Sequence, residues 1–154
     1  MKDSERNIPL QAVDQYEFLD HRRQQEKRHW QNLRKGRPLD SILTVEINTT
    51  ELCNRTCVFC PRHDSSVYPN RNLHLSVKGA GIIAEELADN QYQGKISFSG
   101  FSENLLNPDF LEIVKEFRFH LPQAILECNT NGDKLTTDYL KKLMWGSGLD
   151  LIYI

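Results

Sequence analysis

The sequence predicts an α/β fold in which strands and helices alternate along the chain. Short runs rich in β-branched and other apolar residues occur at 42–47, 95–99, 124–129 and 149–154, and segments with apolar residues at helical spacing lie between them. Such alternation is typical of βαβ units, whose strands form a parallel sheet. Residues 9–35 precede the first strand and are predicted to form one polar helix.

Local signals predict where the helices between the strands begin. Ser76 is the predicted N-cap of the first helix, and Thr136 or Thr137 that of the third. Asn107 followed by Pro108 predicts an N-cap and first helical position for the second helix. Each loop that follows a strand is expected at the same edge of the sheet, where functional residues of parallel α/β folds gather.

Composition excludes several classes of function. The chain has 154 residues, on the order of one domain, and its 19 basic and 21 acidic residues leave it nearly neutral. This balance predicts no general affinity for nucleic acid or anionic membranes. No run approaches the roughly 18 apolar residues of a membrane span, and the first residues lack an apolar signal-peptide core. Clustered cysteines without a secretory signal favour a metal site in a reducing compartment, so a cytoplasmic location is expected.

The most informative stretch contains three of the four cysteines. Cys53, Cys57 and Cys60 are separated by three and then by two residues, directly after the first predicted strand. Such spacings let one loop bring thiolates to a single metal centre. Three cysteine ligands leave one coordination position open, whereas His63 as a fourth ligand would complete a structural zinc site. Unliganded or disulfide-bonded cysteines are further alternatives, and Cys128, in mid-strand, is predicted to be a buried apolar residue.

The C-x3-C-x2-C spacing, with the aromatic Phe59 just before the last cysteine, resembles the signature of the radical S-adenosylmethionine (radical SAM) enzymes. The resemblance implies that Cys53, Cys57 and Cys60 bind a [4Fe-4S] cluster whose fourth iron is chelated by the amino and carboxylate groups of S-adenosylmethionine. It also implies that the surroundings of Phe59 touch the adenine. The implied fold is part of a (βα)6 partial TIM-like barrel, preceded by the N-terminal helix.

A second segment, residues 99–108, resembles the family motif in which a strand ends in glycines followed by Glu-Pro. Gly100 and Glu103 match that motif, and the resemblance implies that its backbone and acid hold the amino group of S-adenosylmethionine. Ser102 stands where glycine is usual, and Asn104 where proline is usual.

The Thr-Asn-Gly turn at Asn131 is similar to a loop that often lines the active site of the family. The resemblance implies that the reduced cluster passes one electron to S-adenosylmethionine, giving methionine and a 5′-deoxyadenosyl radical that abstracts hydrogen from a peptide or small-molecule substrate. It also implies an electron donor such as a flavodoxin or ferredoxin.

Two other functions stay open. The first is a non-catalytic zinc-binding or interaction module, which would use Cys53, Cys57, Cys60 and His63 and would give the Gly100 segment no role. The second is a degenerate family member that keeps the fold without radical chemistry.

The resemblance extends from about residue 43 to the C-terminus and includes about three and a half of six strand-helix units. We therefore expect residues 1–40 to form a helical extension. Residues 41–154 would form a truncated radical SAM core, about its first four strands, belonging to a longer enzyme.

Overall fold

A computed structural model describes residues 42–154 and, before them, residues 23, 24, 27, 30, 31 and 34. Those six residues are helical. The rest of the helix predicted over 9–35, and the predicted domain boundary at residue 40, lie outside the described residues.

Four parallel strands form one sheet. They are β1 (Thr44–Ile47), β2 (Lys95–Phe98), β3 (Ile125–Asn129) and β4 (Leu151–Tyr153), and they lie side by side in chain order. Every neighbouring pair is parallel. The predicted strand-helix alternation and parallel sheet are therefore confirmed.

Three helices connect the strands. They are α1 (Val77–Asp89), α2 (Phe110–His120) and α3 (Thr137–Lys141), the last continuing as a π-helical turn over Lys142–Gly146. None of the helices in the described part of the chain has the length and apolar character needed to cross a membrane.

Two of the three predicted helix starts are confirmed. The Ser76 hydroxyl accepts a hydrogen bond from the Gly79 amide at 3.1 Å, and the Thr136 hydroxyl accepts one from the Tyr139 amide at 3.2 Å. These side chains satisfy amides that the first helical turn leaves without an intrahelical partner.

The predicted start of α2 at Asn107 and Pro108 is wrong by two residues, because the N-cap is Asp109. The Asn107 amide group is instead buried, and it donates to the carbonyls of Thr49 at 2.8 Å and Leu75 at 3.1 Å. Its oxygen accepts from the Asp109 amide at 2.9 Å. Asn107 therefore joins the approach to α2 to the segment after β1 rather than capping the helix.

The core lies between the helices and one face of the sheet. Alternate strand residues, among them Ile96, Phe98 and Leu126, are fully buried there. Phe98 meets Phe110 and Phe117 of α2 edge-on, with both ring centroids 5.4 Å away. This arrangement is favourable for aromatic rings beyond the area they bury. The opposite face of the sheet carries the polar residues of the alternation.

Arg118 on α2 fixes the edge of the sheet where β3 and β4 begin. Its guanidinium donates to the carbonyls of Gly148 at 2.9 Å and Ala124 at 2.9 Å and pairs with the Asp150 carboxylate at 2.6 Å. The same Asp150 oxygen accepts from the Leu126 amide at 2.8 Å. One side chain thus holds a helix and two strands in place at the edge opposite the predicted site.

Candidate functional site

Three loops meet at the carboxyl ends of the strands. The cysteine loop (residues 48–60) follows β1, the Gly100 loop (99–107) follows β2, and the Asn131 loop (130–136) follows β3. Because the strands are parallel and paired in register, their carboxyl ends lie at one edge of the sheet. The sequence-predicted site residues therefore do share one edge.

Hydrogen bonds fix the backbone of the cysteine loop at both ends. The Cys53 amide donates to the Asn70 side-chain oxygen at 2.9 Å, and the Asn70 amide group donates to the Cys53 carbonyl at 3.1 Å. The Cys60 amide donates to the Cys57 carbonyl at 3.0 Å, closing a tight turn. All three loop cysteines are free thiols and half-buried. The backbone is thus held while the sulfurs stay available.

The structure does not gather a metal centre by itself. Among the described residues, no three side chains of His, Cys, Asp or Glu are grouped closely enough to hold one metal ion. Within the described chain, neither the set Cys53, Cys57 and Cys60 nor the zinc set that adds His63 is grouped in this way. The His63 ring lies instead with Nδ1 3.5 Å from the Thr56 carbonyl. The assignment of the three cysteines as cluster ligands stays a prediction.

Glu103 connects the Gly100 loop, to which it belongs, with the Asn131 loop, and it is 1% exposed. Its Oε1 accepts from the Thr130 hydroxyl at 2.7 Å and the Leu105 amide at 3.1 Å, and its Oε2 accepts from the Asn131 amide at 2.7 Å. Its own amide donates to the Leu52 carbonyl at 2.9 Å. A carboxylate offers about four acceptor positions, so one of them, on Oε2, is left for a further donor.

Asn104 is a site residue whose role cannot be seen in the sequence. Its side chain is fully buried, and its oxygen accepts from the Thr49 amide at 3.3 Å and the Thr49 hydroxyl at 2.7 Å. Its amide group donates to the Phe98 carbonyl at 2.9 Å and lies 3.5 Å from the Asn129 carbonyl. One side chain therefore connects the ends of β1, β2 and β3.

Polar contacts attach the cysteine loop to the Asn131 loop. Arg55 binds the Asp133 carboxylate through Nε at 2.9 Å and Nη2 at 2.5 Å. Asn54 donates to the same carboxylate at 2.8 Å and accepts from the Asn131 amide group at 2.8 Å. The hydrogen bond from Arg55 holds the pKa of Asp133 below its usual value, and the same bond raises the pKa of Arg55. We call this set of contacts the loop clamp.

The Gly100 loop also contacts the cysteine loop, at Asn48. Gly100 has φ +117°, and a Cβ there would lie 3.2 Å from the side-chain oxygen of Asn48. The Ser102 hydroxyl donates to that same oxygen. Gln91 is the only non-glycine residue with positive φ in the described part of the chain, so Ser102 at the usual glycine position does not need a left-handed backbone.

The remaining two singled-out residues differ in exposure. Phe59 is 88% exposed near the end of the cysteine loop, so its ring is available to a ligand and does not pack on the core. Cys128 is buried, and burial together with the nearby Glu103 charge raises the pKa of its thiol to about 12. The prediction of Cys128 as a buried apolar residue is confirmed.

Comparison with known families agrees with the arrangement of these loops. The model of the radical SAM superfamily matches residues 47–154, which include all three strand-end loops. The chain belongs to the radical SAM superfamily, whose members are enzymes that use a [4Fe-4S] cluster and S-adenosylmethionine.

Individual relatives agree on the fold. The S-adenosyl-L-methionine-dependent 2-deoxy-scyllo-inosamine dehydrogenase of Niallia circulans is 31% identical over 105 residues, which are 68% of this chain and 40% of the relative. The crystal structure of BtrN in complex with AdoMet and 2-DOIA is similar with a TM-score of 0.66 and 27% identity, covering 72% of this chain and 44% of that chain. The crystal structure of selenomethionine BtrN in an open conformation is similar with a TM-score of 0.63 and 26% identity, covering 72% of this chain and 48% of that chain. The predicted fold class, part of a TIM-like barrel, is thereby confirmed, and this chain spans less than half the length of these relatives.

Proposed function

We propose that Cys53, Cys57 and Cys60 bind a [4Fe-4S] cluster whose open iron takes S-adenosylmethionine, and that the enzyme abstracts hydrogen from a small-molecule or peptide substrate. The observation that carries this proposal is that hydrogen bonds join the three strand-end loops directly. The Asp133 carboxylate accepts hydrogen bonds from the cysteine loop, and the Glu103 carboxylate accepts hydrogen bonds from the Asn131 loop. A site built on loops held to one another can keep cluster and ligand in fixed relative positions.

The cysteine loop has the donor chemistry that such a cluster requires. Soft thiolates suit iron–sulfur clusters, and the three thiols are free and partly exposed. Ligation would need these sulfurs to turn towards a common centre while the backbone hydrogen bonds to Asn70 hold the loop. When bound, the reduced cluster supplies the electron that cleaves S-adenosylmethionine to methionine and the 5′-deoxyadenosyl radical.

The residues proposed to contact S-adenosylmethionine lie on all three loops. Glu103 keeps one acceptor position on Oε2 for the ammonium group, and its burial would strengthen that contact because the local dielectric is low. Gly100 and Ser102 provide backbone close to it, and the exposed Phe59 ring and Asn131 border the same edge. We infer roles in ligand binding for these five residues from their position.

A small polar substrate is favoured over a peptide by the name of one relative. The relative from Niallia circulans is named for a dehydrogenation of 2-deoxy-scyllo-inosamine, a small molecule.

Two further parts of the proposal follow from the chemistry. Reduction of the cluster requires an electron donor such as a flavodoxin or ferredoxin. The four free cysteines of the described chain fit a reducing compartment, so we propose a cytoplasmic location.

Iron and sulfide analysis of the anaerobically reconstituted chain tests the ligand assignment. We expect the composition of a [4Fe-4S] cluster, its loss in Cys57→Ala, and its retention in the matched control Cys128→Ala, which removes the buried thiol. Cluster content unchanged in Cys57→Ala would disprove the assignment. Zinc bound in place of iron, and lost in His63→Ala, would establish the zinc-binding module instead.

A further inference from the structure

Arg62 is a buried cation with unsatisfied donors beside the cysteine loop. Its side chain is 5% exposed, and its guanidinium carbon lies 4.5 Å from the centroid of the Tyr68 ring. Nη1 donates to the Asn70 side-chain oxygen at 3.2 Å, while Nε and Nη2 are buried and have no hydrogen-bond partner among the described residues. Two of its three nitrogens are therefore available for an acceptor.

This arrangement calls for a negatively charged group. A guanidinium stays protonated in proteins, so burial cannot neutralise it. In the described part of the chain no carboxylate forms an ion pair with Arg62. A ring contact and one amide oxygen replace only part of the hydration that a buried cation loses. An anion bound at this position would compensate the charge and accept the unused hydrogen bonds of Arg62.

The connections of Arg62 indicate which anion this is. Arg62 follows Cys60 by two residues. The Asn70 oxygen that accepts from Arg62 also accepts from the Cys53 amide, so one side chain connects the guanidinium to the backbone of the first cysteine. The sulfurs of a cluster held by these cysteines are the anionic acceptors that the motif itself brings to this loop.

We propose that Arg62 donates hydrogen bonds from Nε and Nη2 to sulfur atoms of the cluster or its thiolates, and that its charge raises the reduction potential of the cluster. The inference rests on the proposed function, since it requires the cluster at Cys53, Cys57 and Cys60. Reduction adds one electron and makes the cluster more negative. A fixed cation beside it therefore stabilises the reduced form more than the oxidised form.

An EPR-monitored redox titration of the reconstituted chain without S-adenosylmethionine measures this effect. Arg62→Gln keeps an amide donor and loses the charge. Arg71→Gln is the matched control, because Arg71 is exposed on the following stretch and already pairs with Glu51 at 2.6 Å. We expect Arg62→Gln to lower the potential by about 59 mV, a tenfold change in a one-electron equilibrium, and the control to leave it unchanged.

Arg62→Lys separates lost charge from a disturbed loop, because it keeps the cation and is expected to restore most of the potential. If Arg62→Gln does not retain its cluster, the iron content of this variant is compared with that of Arg71→Gln and of Arg62→Lys. Iron content that is not restored in Arg62→Lys overturns the proposal. A potential equal to that of the wild type in Arg62→Gln overturns it as well. If Arg62→Gln lowers only the affinity for S-adenosylmethionine, the guanidinium pairs with the carboxylate of that ligand. The proposal that the cluster is the partner of Arg62 is then wrong.

Thermal unfolding of the cluster-free variants tests a purely structural role. Because the charge of Arg62 is uncompensated without the cluster, cluster-free Arg62→Gln is expected to unfold no earlier than Arg71→Gln. A much lower melting temperature with an unchanged potential would show that Arg62 only supports the loop. Absence of any cluster in the wild-type chain would instead refute the proposed function itself, so the two failures are distinguishable.

Discussion

Replacing Asn104 by alanine should destabilise the chain strongly although the residue lies in a loop. The change removes the acceptor of the Thr49 amide and hydroxyl and the donor to the Phe98 carbonyl, all of them buried. A buried polar group left without a partner costs about 1–3 kcal/mol. The Thr49 hydroxyl can rotate, and a water molecule in the new space can recover part of the loss. We therefore expect a net decrease of about 3 kcal/mol in the free energy of unfolding, a large share of the roughly 5–15 kcal/mol typical of a domain.

Urea denaturation of the cluster-free chain, followed by circular dichroism, measures this decrease. Asn90→Ala is the matched control, because the exposed Asn90 side chain makes one hydrogen bond, to the Glu86 carbonyl at 2.8 Å. That variant should lose less than about 1 kcal/mol. If Asn104→Ala and Asn90→Ala were equally stable, the view that Asn104 holds three strand ends together would be refuted.

Three further predictions concern the loop clamp, the opposite edge of the sheet and the buried thiol. Because the pKa of Asp133 is lower in the folded state than in the unfolded state, its stabilising effect is present above the unfolded value, about 3.9, and is lost as the pH falls through the folded value. The stability advantage of the wild type over Asp133→Asn should thus vanish in acid, and a constant difference in urea melts across that range would contradict the reasoning. Arg118→Met should lower the free energy of unfolding by about 2–4 kcal/mol, whereas Arg71→Met, at an exposed ion pair, should lower it by less than about 1 kcal/mol. Equal losses in denaturant titrations would contradict the role of Arg118. Iodoacetamide at neutral pH should alkylate the three loop cysteines of the native cluster-free chain but not Cys128, because the raised pKa and the burial of Cys128 leave little accessible thiolate. Rapid labelling of Cys128 in peptide mass spectra would be inconsistent with the fold.

Local sequence signals predicted those elements whose cause is itself local. The N-caps Ser76 and Thr136 bond to amides three residues further on, so a short window contains all the information. Asn107 carries the same kind of signal, but there the predicted helix start was wrong. Its side chain is engaged by carbonyls of Thr49 and Leu75, which are 58 and 32 residues away in the chain. The competing tertiary contact moved the start of α2 to Asp109.

The same distinction explains which parts of the candidate site were foreseen. The cysteine spacing is a local pattern, and the parallel fold brings Gly100, Glu103 and Asn131 to the edge where it lies. The role of Asn104 depends on Thr49, 55 residues away, and that of Arg55 on Asp133, 78 residues away. The acid in Asn-Gly-Asp directly after a strand was the only available hint of the loop clamp. The buried state of Arg62 had no sequence signal, because an arginine after Cys-Pro reads as an ordinary surface residue.

The proposed function depends most on an open iron that binds S-adenosylmethionine beside Glu103. Low-temperature EPR of the reduced, reconstituted chain, with and without S-adenosylmethionine, tests it most directly. We predict a [4Fe-4S] signal whose shape changes when the ligand is added. In Glu103→Gln the same signal should be present, but the change should need at least about ten times more ligand, since a charge-assisted hydrogen bond is worth about 1.5–3 kcal/mol. A cluster signal that does not respond to S-adenosylmethionine in the wild-type chain would contradict the account.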